Sequence, residues 1–276
     1  MNEKKLRSLL SLLDDPDESI AVRVMTELLE YEPELLDLLG DMQESADPVL
    51  RKRIQQLESI LLLRRRRKDF LQYLNGENPD ILQGLTELHL LWFDRDTPEM
   101  LMENLQIFLS ASANSRIKTL GDLGLFMARS NFVPPPPDEE LDPENYCIGP
   151  ILEDRIGSEV ILCALALLAG ICNNLNLWML RIGRNFVLMN EAGERIAPAN
   201  DWQLEAADTS LHGEFWNEPA MVLRYAAQML FLAAVSTDNF RYVHTVAHAM
   251  LGSPGDEKLD FLPYPYNGNC ADKSEK

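Results

Sequence analysis

Leucine recurs at helical spacing through the first sixty residues. Leu6, Leu9, Leu10 and Leu13 stand at the i, i+3, i+4, i+7 offsets of one helix face. Asp14-Asp15-Pro16-Asp17 stops that helix and restarts the chain, with Asp as cap and Pro in the first turn. Ile20, Val24, Met25, Leu28 and Leu29 form the next stripe. Pro33 opens a third helix carrying Leu35, Leu36, Leu38, Leu39 and Met42, and Asp47-Pro48 opens a fourth with Leu50, Ile54, Leu57 and Leu61. The two Asp-Pro starts stand one solenoid repeat apart, so residues 1–63 read as HEAT-like helical hairpins.

Helical spacing continues through residues 64–133. Asn78-Pro79 starts a helix that buries Leu82, Leu85 and Leu88. Thr97-Pro98 starts another with Leu101, Leu105, Phe108 and Leu109, and a third runs near Leu120 to Met127. Pro134-Pro135-Pro136-Pro137-Asp138-Glu139-Glu140 is stiff and acidic, and residues 134–142 read as an exposed connection, with a proline-motif ligand as the alternative. Beyond it the pattern changes. Val160 to Cys172 is apolar on every face, which predicts a central buried helix. Leu177 to Leu180 and Phe186 to Met189 read as strands, Asn190 to Gly193 as a turn, and Arg195 to Ala197 as a returning strand. Residues 143–216 thus form a small α+β core. Residues 217–276 add a helix pair, with Met221, Leu223, Ala226, Met229, Leu230 and Ala233 on one stripe and Phe240, Val243, Val246, Ala247 and Met250 on the other. Gly252 to Gly255 closes the pair, and an irregular tail follows. The predicted class is mainly α with a small α+β core: helical repeats, a central helix on an antiparallel sheet, then a C-terminal helical pair.

Charge narrows the partners. Among 276 residues, 44 acidic side chains outweigh 25 basic ones, for a net charge of -19. Such a surface repels nucleic acid and anionic lipid and accommodates protein partners. Arg64-Arg65-Arg66-Arg67-Lys68 is the one strong basic run. It reads as a solvated helix end whose cations face the negative end of the dipole, with a docking patch or localisation signal as the alternative. Met1 to Leu13 lacks the pattern of a signal peptide, and no apolar run reaches the roughly 20 residues of a bilayer span, Val160 to Ile171 being the longest candidate. Cys147, Cys163, Cys172 and Cys270 are scattered without C-x-x-C pairing, which predicts reduced thiols, no structural zinc and a cytoplasmic location.

One stretch carries a family likeness. Asn145, then Ile151-Leu152-Glu153-Asp154-Arg155-Ile156-Gly157, then the apolar helix from Val160, resembles the helix-start signature of transglutaminase-like proteins. The likeness is to a bacterial subfamily with helical N-terminal repeats and a tetratricopeptide-like C-terminal pair. Gly183-Arg184-Asn185-Phe186-Val187-Leu188 looks like its Gly-His-Phe strand and Ile196-Ala197-Pro198 like its Asp-Pro step. The resemblance implies a Cys-His-Asp site: a thiol activated at the start of the central helix, a His on the neighbouring strand and an Asp on the next. Here the thiol position falls between Glu159 and Ile161, the His position is Asn185 (or Arg184), and the Asp position is Ala197. All three roles are vacant, so the resemblance implies a pseudoenzyme without cofactor, acting through protein interaction.

Two other chemistries stay open. Cys163 with His212 would make a relocated thiol site for amide processing, and Ser158, His212 and Asp201 a hydrolase-like set. His244 and His248 stand one helical turn apart, at metal-ligand spacing, but Thr245 stands where a metalloprotease has its Glu. Two polar residues at the edge of a helix pair is the plainer reading. His89 is isolated in sequence, and Trp202, Phe215 and Trp216 read as core.

Overall fold

A computed structural model describes residues 3–31, 35, 38–39, 47–76, 80–136, 139, 141–208, 212–237 and 240–251. Helices dominate, with one small antiparallel sheet. The chain divides into two compact units between Arg65 and Arg66; the larger runs to Gly252 and includes the proline-rich connection.

In the smaller unit, α1 (Glu3–Leu10) and α2 (Glu18–Leu28) lie in contact. The α2 N-cap is Asp17, whose carboxylate accepts Ser19 N–H at 2.8 Å. Leu6, Leu10, Leu13, Met25 and Leu28 share an apolar cluster with Ile54 and Leu57 from α3 (Pro48–Asn75). Leu35 and Leu39 join it, while most of the helix expected from Pro33 lies outside the described residues. Buried Arg53 donates to Leu13 O at 2.5 Å and Asp15 O at 2.6 Å, satisfying carbonyls that follow α1.

The basic run does not end a helix, contrary to the sequence reading. It lies inside α3, which continues to Asn75. Arg66 is 7% exposed and donates to Leu90 O at 2.9 Å, Asp94 O at 3.0 Å and Asp96 O at 3.1 Å. Its guanidinium thus sits at the negative end of α4 (Ile81–Trp92), on carbonyls with no helical partner.

In the larger unit α4 begins at Ile81, with Asp80 as its N-cap, not with the expected Asn78-Pro79 start, which falls outside the described residues. Next come α5 (Pro98–Asn114), capped by Thr97 with Pro98 in its first turn, and α6 (Leu120–Arg129), which opens on a Thr119/Asp122 capping box. After α7 (Ile148–Asp154) comes α8 (Glu159–Cys172), the central helix, with Val160 to Ala166 all buried. The sheet order is β3-β2-β1-β4, from β1 (Leu177–Ile182), β2 (Asn185–Asn190), β3 (Arg195–Ile196) and β4 (Glu214–Phe215). A Cβ on Gly170 would stand 2.5 Å from Leu177 Cδ1, so this glycine lets β1 lie against α8.

Alternation divides the sheet into two faces. Met179, Phe186, Leu188 and Ile196 pack with α8 in the main core. Leu180, Val187 and Ala197 cluster on the other face with Trp178, Ile182 and Met189. Finally α9 (Pro219–Ser236) and α10 (Phe240–Leu251) pack together. With 18 residues, α9 is long and apolar enough to cross a membrane, a possibility the sequence reading missed. Its Leu223, Ala226, Ala227 and Leu230 face is fully buried in the main core. The tail beyond Leu251 and its Cys270 lie outside the described residues.

Candidate functional site at the start of the central helix

The stretch from Ile151 to Gly157 sets where α8 begins. Arg155 closes α7 in a left-handed conformation (φ 65), with its N–H donating to Ile151 O at 3.1 Å. Val133 N–H donates to Arg155 O and Gly157 N–H returns to Val133 O, a short parallel bridge that anchors the turn. A Cβ on Gly157 would stand 2.7 Å from Ile151 Cγ1, which explains the glycine. Ser158 N–H then donates to Asn145 O at 2.8 Å, and the Asn145 side chain donates to Glu139 O at 2.7 Å. Asn145 thus ties two chain segments together where the helix starts.

Glu159 is the first residue of α8, where a carboxylate meets the positive end of the dipole. It accepts Phe186 N–H at 2.8 Å. The fold therefore brings the first of the resemblance-assigned positions to the Asn185–Phe186 step of β2. Phe186, not Asn185, turns toward α8. Its ring lies 5.0 Å from Trp216 and 5.4 Å from Tyr225, and the Arg181 guanidinium stands 5.8, 5.6 and 5.6 Å from the Phe186, Trp216 and Tyr225 rings. Trp216 Nε1 donates to Glu214 at 3.1 Å.

The remaining candidates do not gather here. Asn185 pairs with Ile182 and shares the sheet face of Val187 and Ala197, turned away from α8. Ile161 and Cys163 have no exposure. Burial, reinforced by the Glu159 charge, pushes the Cys163 thiol well above its ordinary range, so it holds its proton at neutral pH. His212 and Asp201 are exposed, whereas Ser158 is buried, so neither His212-based set is assembled. Trp202 and Trp216 are core as expected, but Phe215 is 54% exposed, because two-residue β4 turns it outward at the sheet edge. Cys172, the last residue of the helix expected to be buried, is exposed. The His244 and His248 ring centroids lie 4.2 Å apart with the rings tilted by 42°, and no group of three or more metal-ligating side chains occurs among the described residues.

A second polar centre, absent from the sequence reading, sits at the end of α4. His89, treated as isolated, is 1% exposed and uses both ring nitrogens. Nε2 pairs with Asp96 Oδ2 at 2.9 Å, and Nδ1 accepts Gly149 N–H at 3.4 Å. That second bond assigns the ring proton to Nε2, since Nδ1 must be the acceptor. Phe93 stacks on the ring at 4.8 Å. Asp94 pairs with Arg241, and Trp92 stacks on Tyr242 at 3.9 Å. Burial lowers the His89 pKa below its ordinary value, against the opposing pull of Asp96. Cys147 is wholly buried, with its thiol pushed up by burial and by Glu144, Asp142 and Asp96. The sequence held one signal for this centre, a short Phe93-Asp94-Arg95-Asp96 loop between two helices, but its histidine partner lies 60 positions from Gly149.

Comparison of the chain with protein-family models, curated proteins and solved structures gives no match.

Proposed function

We propose that this chain is a non-catalytic transglutaminase-like protein that acts in the cytoplasm as a protein-interaction module, with helical repeats and a C-terminal helix pair joined through a degenerate core. One observation carries the reading. Where the resemblance places a nucleophilic thiol, the chain has Glu159, Val160 and Ile161, of which Glu159 has its carboxylate engaged by Phe186 N–H at 2.8 Å. A carboxylate tied to strand backbone orders the helix start and offers no thiolate for acyl transfer. The thiol nearest in sequence, Cys163, is enclosed in the core in its protonated form. The acidic surface and the free Cys147, Cys163 and Cys172 among the described residues support a protein partner in a reducing compartment.

The test pairs chemistry with biology. Purified protein is incubated with a glutaminyl peptide and a primary amine, and ammonia release is followed. No release above buffer is expected. In cells lacking the protein, the Cys163→Ala chain is expected to restore the phenotype as fully as the wild type. Ammonia release that Cys163→Ala abolishes at unchanged stability would sink the reading.

A further inference from the structure

The end of α4 holds a buried imidazole with a defined donor and a defined acceptor. In the neutral ring, Nε2–H serves Asp96 and the Nδ1 lone pair serves Gly149 N–H. A second proton on the ring has one place to go, Nδ1, and there it turns the acceptor into a donor facing a donor. The Gly149–His89 bond is then lost, and the ring has little room to step aside. Phe93 stacks on it, and the Gly149 backbone is so near that a Cβ there would stand 2.6 Å from His89 Cε1.

We propose that His89 is a proton-operated latch: neutral, it joins the loop after α4 to the first turn of α7, and on taking up a proton it releases that turn and admits solvent to Cys147. The charged and titratable groups around it come from every packed element. Asp94, Arg95 and Asp96 belong to its own loop, Arg66 to α3, and Arg241 and Tyr242 to α10; Asp142, Glu144 and Cys147 lead into α7, and α5 presents apolar Leu101. Arg66, fixed on three carbonyls, opposes a second cation, while Asp96 favours it. With the latch open, His89 meets water and binds its proton more readily than in the closed state. The open fraction therefore grows as pH falls below the ordinary imidazole value of about 6.5, by up to about tenfold per pH unit until the closed-state ring also protonates.

The chain carries its own reference thiols. Cys172 is exposed and reports labelling chemistry at each pH, and Cys163, buried in α8, reports unfolding of the whole unit. The intact protein is treated with 4,4′-dithiodipyridine, which reacts with accessible thiols in acid as well as at neutrality, at about pH 7.5 and about pH 5. Each modified thiol is located by peptide mapping. The Cys147 rate relative to Cys172 is expected to rise about tenfold or more in acid, with Cys163 protected. His89→Gln, which retains an amide donor and a carbonyl acceptor, is expected to protect Cys147 at both pH values. Three outcomes overturn the latch: Cys147 unchanged in acid, Cys147 and Cys163 opening together, or the same acid response in His89→Gln. Should His89→Gln fail to fold, amide exchange at Gly149 in the wild type decides. Loss of protection in acid, beyond the intrinsic pH dependence of exchange, supports the latch, and unchanged protection overturns it.

Discussion

Two helix ends in the larger unit invite comparison. The start of α8 is where the family likeness places chemistry, yet it is built from Glu159, a backbone N–H and a ring of aromatics around Arg181. The end of α4 was expected to hold nothing but an isolated histidine, yet it gathers an imidazole, two carboxylates, a thiol and two guanidiniums from segments far apart in sequence. The difference teaches that residue types associated with reactivity serve equally well to fasten loops. What separates the uses is access: His89 and Cys147 are enclosed.

If this contrast is right, the polar centre matters more to stability than the start of α8. Arg66→Met should cost about 3 kcal/mol in urea unfolding, because it strips a charged donor from three carbonyls while keeping the side-chain volume. A loss below about 1 kcal/mol would show those carbonyls to be well served by water. Gly149→Ala should cost about 2 kcal/mol by driving a methyl into the His89 ring. An unchanged midpoint would show that α7 can step back freely.

The pH dependence comes next in size. The folded His89 pKa is depressed, so its contribution to stability is fully present above the unfolded value of about 6.5 and is lost as pH falls toward the folded value. The slope should reach at most about 1.4 kcal/mol per pH unit, and His89→Gln should flatten it in urea titrations run across that range. The smallest effect expected is Glu159→Ala, about 1 kcal/mol for one hydrogen bond and a favourable dipole contact. A cost for Glu159→Ala exceeding that of Arg66→Met would invert the comparison.

Much of the fold was legible because it follows from local chemistry. Thr97-Pro98 announces α5, the run from Leu120 to Met127 announces α6, and unbroken apolar residues announce α8. The β2–β3 hairpin was visible from its strands and the Asn190 to Gly193 turn. Shorter elements were less so: two residues of β4 leave no periodicity to read, and Phe215 was misplaced accordingly. Arg66 was read from its neighbours in a basic run, whereas its role comes from carbonyls 24 to 30 positions away. At the site, the family likeness assigned a position from Glu159 to Ile161 but not which face of β2 Asn185 would take. One residue of register decides that face, and only pairing with β1 fixes it.

The packing of α4 has a consequence for how the chain is made. Gly84 lets Leu223 of α9 lie so close that a Cβ would stand 2.2 Å from Leu223 Cδ1, and the next residue, Arg224, donates to Leu74 O, 150 positions earlier. On a ribosome adding 5–20 residues per second, roughly 8 to 30 s pass between the synthesis of these partners. During that interval the apolar flank of α4 has no α9 to cover it. Newborn chains of this protein should therefore lean on chaperones until α9 emerges, and truncations that stop short of Pro219 should aggregate.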